Sequence, residues 1–213
     1  MQINNSSTTS FNAIPISTIK ISKLGTDFKM YEATKADHAF LSELPERIQI
    51  SELMPNLSKK DSDRWQEMLQ LATDVAQEGE NRTFIATSEN KPCGILTFVR
   101  NNKVMELDCI CTWPLETGKK VKCAGQALFK KAFDFVQNQK MKKIELSAIT
   151  DGPFDNVAKY KRLGFIETGG KDHKIHMETT SQRIKEQLKA MNNLMEETPI
   201  THGENENLLD TIL

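Results

Sequence analysis

The sequence predicts an α+β (mixed α/β) fold in which a twisted, mostly antiparallel sheet is flanked by helices. Two observations support this prediction. Several short apolar or alternating segments in the middle of the chain are separated only by turn residues, which predicts consecutive strands. Segments with apolar residues at helical spacing precede and follow these strands. Grouped strands with helices around them are typical of the mixed class.

The first part of the chain has a polar segment, one strand and two helices. Residues 1–26 are rich in Ser, Thr and Asn and lack clear periodicity, which predicts a flexible N-terminal segment. The domain then begins with an alternating strand over residues 28–33. A short helix over residues 36–44 precedes a longer one, for which Asp61 or Ser62 is the expected N-cap.

The middle of the chain supplies most of the predicted sheet. Three antiparallel strands are expected over residues 83–88, 94–100 and 104–112, because turn residues connect them. A further strand is predicted over residues 143–149. An amphipathic helix lies between the last two strands. Its apolar stripe contains Leu128, Ala132, Phe135 and Val136, and its predicted solvent face contains Lys130, Lys131, Asp134 and Asn138.

Residues 181–213 are predicted to form a C-terminal helix and an acidic tail. The helical stripe consists of Ile184, Leu188, Met191 and Met195. Such a stripe packs either on its own domain or on a second subunit, so a homodimer is an open alternative. The tail begins near Thr201 and is rich in Glu and Asn.

Composition excludes several classes of protein. The chain has 213 residues, 38% hydrophobic and 27% charged, which is typical of a globular domain in solution. Its net charge of -1 argues against nucleic acid as a partner. Because no apolar run approaches the roughly 20 residues that cross a bilayer, no membrane association is expected. The N-terminus does not resemble an export or import signal, so a cytoplasmic location is predicted.

The four cysteines do not suggest a metal site. Cys109 and Cys111 are predicted to share one face of a strand, but no pair of histidines at ligand spacing accompanies them. Buried cysteines in the core are therefore the favoured interpretation, and no metal is expected. Cys123 differs because it precedes a helix and follows Lys122, an environment that can acidify a thiol.

The segment Lys122–Ala127 has the features of a phosphate-binding turn. It lies between the strand over residues 104–112 and the amphipathic helix, and it contains small residues at Gly125 and Ala127. A helix that begins here points its free N–H groups and the positive end of its dipole toward the turn. This arrangement suits a pyrophosphate.

This turn resembles the acetyl-CoA-binding motif of the Gcn5-related N-acetyltransferase (GNAT) family. That motif reads Gln or Arg, two residues, Gly, one residue, then Gly or Ala, and Lys122, Gly125 and Ala127 occupy these positions. A second segment resembles the family's Tyr, three residues, Gly-Phe pattern, with Tyr160 and the pair Gly164-Phe165. The connection before Gly125 is longer than is usual in the family.

The resemblance covers roughly residues 28–180 and implies a GNAT-like sheet. It therefore implies an acetyl-CoA-dependent acetyltransferase domain over residues 27–180 and transfer of an acetyl group from acetyl-CoA to an amine by direct attack. Acetyl-CoA is then a co-substrate. The residues expected to contact it are Ile110, Cys111, Thr112, Lys122, Cys123, Ala124, Gly125, Gln126 and Ala127.

The resemblance also implies catalytic roles. Tyr160 matches the family position for the acid that protonates the departing thiolate. Glu106 and, second, Asp108 are candidates for the base, because both are predicted to lie on the strand face opposite Met105, Leu107 and Cys109. Solvated strand charges are an equal alternative, and a bulge would change which carboxylate points inward.

Two questions stay open from the sequence. The first is whether the fold is a catalytically inactive GNAT-fold module that binds CoA or regulates a partner, since the turn departs from the family pattern. The second is the acceptor, a small-molecule amine or a protein amino group. Its pocket is expected near residues 43–56, where Glu43, Glu46 and Glu52 are the acidic candidates for attracting a cation.

Overall fold

The fold is built on one nine-stranded sheet, seen in a computed structural model that describes residues 11–201. In chain order the strands are β1 Ile14–Ile21, β2 Thr26–Glu32, β3 Arg82–Ser88, β4 Lys91–Asn101, β5 Val104–Thr112, β6 Lys143–Ile149, β7 Ile166–Lys171, β8 Lys174–Thr180 and β9 Glu196–Pro199. Their order across the sheet is β7-β8-β6-β5-β4-β3-β2-β1-β9. All neighbouring strands are antiparallel except β5 and β6, which are parallel. The mostly antiparallel mixed fold predicted from the sequence is therefore confirmed.

Six α-helices lie on the two faces of this sheet in the described part of the chain. They are α1 His38–Arg47, α2 Ile50–Leu53, α3 Lys59–Ala76, α4 Ala124–Asn138, α5 Asn156–Arg162 and α6 Ser181–Asn192. Helices α1, α2 and α3 bury their apolar side chains on one face, which we call the α3 face. Helices α4 and α6 bury theirs on the other, the α4 face.

Each face of the sheet has its own apolar core. The α3 face buries Leu41, Trp65 and Leu69 against Ile85 and Ile95 of the sheet. The larger α4 face is rich in phenylalanine, and its rings pack in tilted or edge-to-face pairs that include Phe84, Phe98, Phe129, Phe133 and Phe165. Burial of this apolar area drives the packing of α4 and holds its first turn against the sheet.

The N-terminal strand corrects one prediction. Residues 14–21 lie within the segment that was predicted to be flexible, yet they form β1 and pair with β2 over its whole length. Ile19 and Ile21 are buried on the α4 face. This strand was missed because its buried face has only a few apolar residues. The alternation of apolar and polar residues along β1 is therefore weak. Residues 1–10 lie outside the described residues.

The C-terminal part continues the same domain. Helix α6 ends at Asn192, and Ile184, Leu188 and Met191 are buried against the α4 face, as is Met195 after the helix. Strand β9 then pairs with β1 at the far edge of the sheet. The C-terminal helical extension therefore packs on its own domain. The predicted acidic tail lies outside the described residues beyond Thr201.

Two local predictions were wrong. The N-cap of α3 is Ser58, whose hydroxyl accepts a hydrogen bond from the Asp61 backbone N–H at 3.1 Å, and neither Asp61 nor Ser62 holds that position. Lys130 was expected to face water but is buried, because its ammonium forms ion pairs with Asp134 at 2.8 Å and Glu197 at 2.6 Å. No helix in residues 11–201 is long and apolar enough to cross a membrane.

Candidate active site

The candidate site is the gap that opens between the two parallel strands. Strands β5 and β6 pair only from Val104 with Lys143 to Leu107 with Leu146. Both strands continue beyond these pairs, β5 to Thr112 and β6 to Ile149, without pairing to each other. The two strands thus diverge and leave a wedge-shaped gap with its vertex near Leu107.

A β-bulge at Asp108 marks this vertex. Thr97 of β4 is opposite Cys109, and the next residue, Phe98, is opposite Leu107, so Asp108 is the extra residue. Leu107 therefore packs on the α4 face, whereas Cys109 and Cys111 pack on the α3 face. The prediction that one face carries Leu107 together with Cys109 was wrong, because the bulge reverses the alternation.

The bulge also directs backbone groups into the gap. The Trp113 N–H donates to Cys93 O at 3.0 Å, so Trp113 and, by alternation, Cys111 hydrogen-bond toward β4. The N–H groups of Ile110 and Thr112 then point the other way, toward the gap. The Thr112 carbonyl on that side accepts a hydrogen bond from the Trp65 indole at 3.0 Å.

Helix α4 begins beside the open end of the gap. Its N-cap, Cys123, has the left-handed backbone conformation with φ of 70° and provides no side-chain cap. The first intrahelical acceptor bond is from Ala127 N–H to Cys123 O at 2.9 Å. The N–H groups of Ala124, Gly125 and Gln126 therefore precede the helical hydrogen-bond ladder. With no acidic residue in this turn, the positive end of the helix dipole is not offset locally.

Small residues at the start of α4 leave space for a ligand to approach the backbone of its first turn. A Cβ atom at Gly125 would have one neighbour, Thr112 Cγ2 at 3.9 Å, so the space above the first turn is open. Ala127 is buried beneath it. On the strand side, a Cβ at Gly94 of β4 would lie 2.9 Å from Leu128 Cδ1, which shows that Gly94 lets α4 pack close to the sheet.

The connection from β5 to α4 is long and contacts α2. Its Gly118 N–H donates to the Leu53 carbonyl at 2.7 Å. Lys122, before the helix, and Gln126, in its first turn, are both exposed, as side chains that contact a phosphate must be. This environment does not acidify Cys123, because burial outweighs the charge of Lys122 and raises the pKa of the Cys123 thiol.

Tyr160 lies on the β6 side of the gap. It lies on α5, which follows β6, and its ring packs on Phe129 and Phe165, each at a centroid distance of 5.8 Å. Burial first, and the nearby thiols of Cys109 and Cys111 second, raise the pKa of the Tyr160 hydroxyl above its usual value. The raised pKa keeps the hydroxyl protonated at neutral pH.

The two candidate carboxylates differ in their surroundings. Glu106 accepts a hydrogen bond from Asn101 Nδ2 at 2.8 Å and lies where β5 and β6 are still paired. Asp108 is exposed at the bulge, at the vertex of the gap. Partial burial of its carboxyl, together with the charges of Glu106 and Glu78, raises the pKa of Asp108. A raised pKa is favourable for a base that works near neutral pH.

Two aromatic residues at the mouth of the gap were not predicted as site residues. Phe154, in the loop after β6, packs edge-to-face on Trp65 of α3 with centroids 4.9 Å apart. Nothing in the sequence around Trp65 or Phe154 indicates that the two rings meet. Among residues 11–201 there is no cluster of three side chains that could hold a metal ion.

No family model matches the sequence, and no curated protein matches it in sequence. Solved structures do share its fold. PaiA N-acetyltransferase from Thermoplasma acidophilum, solved in complex with coenzyme A, matches with a TM-score of 0.51 and 16% identity over 72% of this chain and 98% of that chain. Spermidine N-acetyltransferase from Vibrio cholerae, solved with CoA and spermine, matches with a TM-score of 0.49 and 19% identity over 74% of this chain and 98% of that chain.

At this level of identity the likeness defines the fold. The sheet and its flanking helices share the fold of PaiA N-acetyltransferase, in agreement with the GNAT-like sheet that the sequence predicted. The roles of individual residues must be argued from the geometry of the gap.

Proposed function

We propose that this protein transfers the acetyl group of acetyl-CoA to the amino group of an acceptor. The observation that carries the proposal is the gap between β5 and β6, which has the uncapped start of α4 at its open end and is followed, after β6, by the helix that holds Tyr160. Acetyl-CoA carries its thioester on a long arm that is joined to a pyrophosphate. The gap is suited to the arm, and the start of α4 is suited to the pyrophosphate.

Acetyl-CoA would be held in three places. Its pyrophosphate would accept hydrogen bonds from the first-turn N–H groups of α4, with Lys122 adding positive charge. Its pantetheine arm would enter the gap and pair with the backbone of Ile110 to Thr112, as a missing strand would. Cys111 is buried on the α3 face and its backbone groups bond toward β4, so the arm would pair with Ile110 and Thr112 and not with Cys111. The thioester would then lie near the vertex.

The chemistry at the vertex requires a neutral amine and a stabilised thiolate. Asp108 would take a proton from the acceptor ammonium, directly or through water, and Glu106 would support the raised pKa of Asp108 by its charge. The neutral amine would attack the carbonyl, the carbon–sulfur bond would break, and the second proton of the amine nitrogen would pass to the departing thiolate, so that the products are the amide and the CoA thiol. Tyr160 would donate a hydrogen bond to the departing thiolate, and because burial disfavours a tyrosinate, donation of a hydrogen bond is favoured over complete loss of the proton.

This assignment changes the order of the two carboxylates. The sequence favoured Glu106 because simple alternation placed it on the strand that enters the site. Asp108 is now the first candidate, because it is the bulged residue at the vertex while Glu106 lies before the strands diverge. The acceptor is an amine of a small molecule or a protein.

The proposal is tested by release of free CoA thiol. Purified protein is incubated with acetyl-CoA and a panel of amines that includes α-amino acids, polyamines, aminoglycosides and peptides with free N-termini. We expect amine-dependent thiol release that saturates in both substrates. If acetyl-CoA binds but no amine promotes thiol release, the alternative of an inactive CoA-binding module is favoured. If the protein does not bind acetyl-CoA, both functions are excluded.

A further inference from the structure

We infer that Lys120 and Lys159 form an anion subsite at the mouth of the gap, which takes a phosphate group of the bound cofactor. The inference rests on the proposed function and adds residues that neither sequence motif contains. The two lysines come from opposite sides of the gap. Lys120 lies in the connection from β5 to α4, and Lys159 lies on α5 after β6.

The two ammonium groups converge on one aromatic ring. Lys120 Nζ lies 4.8 Å and Lys159 Nζ 4.1 Å from the centroid of the Phe154 ring. Lys120 Nζ is also 5.8 Å from the Trp65 ring, which packs on Phe154. Cation–π contacts at these distances orient the ammonium groups but leave their N–H donors free for another partner.

No carboxylate neutralises this pair. Within the part of the chain that the structure describes, neither Lys120 nor Lys159 forms an ion pair with an acidic side chain, and Lys159 has only a long contact of 3.5 Å to Asn156 Oδ1. Their sequence neighbours differ, because Lys119 pairs with Glu116 at 3.2 Å and Lys161 with Glu167 at 2.7 Å.

The like charges are costly to hold together. Burial, followed by the charges of Lys120 and Arg162, lowers the pKa of Lys159, while Asp155 opposes this shift more weakly. Asp155 also caps α5 by accepting from the Ala158 N–H at 2.9 Å. An anion between the two ammonium groups would relieve their repulsion and form charge-assisted hydrogen bonds.

An anion can reach the two lysines from solvent. Lys120 and Lys159 are both exposed, and each lies at the mouth of the gap beside Phe154. The neighbouring cavity along the loop after β6 has Phe154 in its wall but neither lysine, so the subsite is an open one at the surface.

The position of the subsite favours the cofactor as the source of the anion. A ligand threaded into the gap has its far end at the mouth, and the far end of CoA carries its phosphates. The 3′-phosphate is close to a dianion at neutral pH, which matches two cations. The other source of the same chemistry is a carboxylate or phosphate on the acceptor.

The test compares CoA with dephospho-CoA, which lacks only the 3′-phosphate. Dissociation constants are measured by calorimetry for the parent, Lys120→Ala and Lys159→Ala, with Lys119→Ala and Lys161→Ala as matched controls. We expect each of the first two variants to weaken CoA binding about 10- to 100-fold, as for loss of a hydrogen bond to a charged group, and the controls to bind as the parent does.

The pattern of losses identifies the anion. A loss for CoA alone assigns the subsite to the 3′-phosphate, and equal losses for both cofactors assign it to the pyrophosphate. Unchanged binding of both, with slower thiol release only for acceptors that carry an anionic group, assigns it to the acceptor. If Lys120→Ala and Lys159→Ala change none of these quantities, the inference is wrong, while CoA binding by the parent keeps the proposed function intact.

Discussion

At the scale of single residues, Tyr160 has two separable roles, one for its ring and one for its hydroxyl. Its ring belongs to the aromatic core of the α4 face, and its hydroxyl is influenced by thiols on β5. A purely packing role would require only the ring. A role in catalysis requires the hydroxyl, so the two roles separate when the oxygen atom alone is removed.

We predict that Tyr160→Phe retains the fold and CoA affinity while it lowers kcat by about 100-fold, as for loss of a group that assists proton transfer. Stopped-flow thiol release and calorimetry measure the two quantities. Because phenylalanine keeps the contacts to Phe129 and Phe165, the melting temperature serves as the control. An unchanged kcat would assign Tyr160 to packing.

The carboxylate pair provides the second test at this scale. If Asp108 is the base, its replacement by Asn lowers the rate at neutral pH, and part of the rate returns at high pH where more of the amine is already neutral. Glu106→Gln should have a smaller effect and should shift the pH profile of the parent to lower pH, since its charge helps to raise the pKa of Asp108. If both variants have the rate and the pH profile of the parent, neither Asp108 nor Glu106 is the base.

At the scale of elements, the bulge in β5 organises the site. Because Asp108 is an extra residue, the alternation of side chains between the two faces reverses there. The buried residues of β5 before Asp108 pack on the α4 face, and those after it pack on the α3 face. The same residue lies where β5 and β6 cease to pair. A straight strand would continue the pairing and close the gap.

Sequence patterns predicted most elements. The features that they missed depend on contacts between residues that are distant in sequence. The bounds of β5 and β6 agree with the prediction because both strands have regular buried positions. The reversal at Asp108 was not predictable from alternation, because a bulge depends on the pairing with β4. Burial of Lys130 was missed for a similar reason, since its partner Glu197 is 67 residues away in sequence.

The site was predictable only where it depends on local sequence. The helix start at Gly125 and the residue Tyr160 belong to short motifs, so both could be identified from the sequence. Lys120 comes from one segment and Phe154 and Lys159 from another, and the two segments meet only at the mouth of the gap. Their juxtaposition depends on how far β5 and β6 diverge.

Strand β9 is attached to α4 by a small ionic network. Glu197 accepts hydrogen bonds from Lys130 at 2.6 Å and Lys131 at 2.8 Å. We predict that Glu197→Ala lowers the free energy of unfolding by about 2 kcal/mol, because the buried ammonium of Lys130 loses one of its two carboxylates. Glu196→Ala, at the exposed neighbouring position, is the control in urea titrations. Equal stability of both variants would show that the network contributes nothing.

At the scale of the whole molecule, the same network predicts a dependence of stability on pH. Burial first, and then the neighbouring Glu197, raise the pKa of Asp134 to about 6. The folded protein therefore binds more protons at Asp134 than the unfolded chain does between about pH 4 and the raised pKa. This contribution is present at pH 4 and is lost as the pH rises through 6.

Glu197 contributes in the opposite direction. Burial alone would raise its pKa, but hydrogen bonds with Asp134, Lys130 and Lys131 hold the pKa of Glu197 below its usual range. Its contribution is present above the unfolded pKa, near 4.3, and is lost as the pH falls further.

We therefore predict that Asp134→Asn removes part of the loss of stability between pH 4 and pH 6.5, on the order of 1 kcal/mol after allowance for solvent screening. Urea titrations at pH 4.5 and 7 compare the variant with the parent. Asp74→Asn, at an exposed position on α3, is the control. An identical pH dependence in parent and Asp134→Asn would contradict the raised pKa of Asp134.

The central claim for the whole molecule is that the start of α4 and the gap beside it hold CoA. Its most direct test is the dissociation constant of CoA for the parent and for Gly125→Val, measured by calorimetry. A Cβ at Gly125 meets only Thr112 Cγ2 at 3.9 Å, so the variant is expected to fold, which circular dichroism verifies. The added side chain would occupy the space that the pyrophosphate needs.

We predict that the parent binds CoA and that folded Gly125→Val binds it more than 10-fold less tightly, which corresponds to a loss of at least about 1.4 kcal/mol. A parent that does not bind CoA, or a folded Gly125→Val variant with the affinity of the parent, would contradict the assignment of this site.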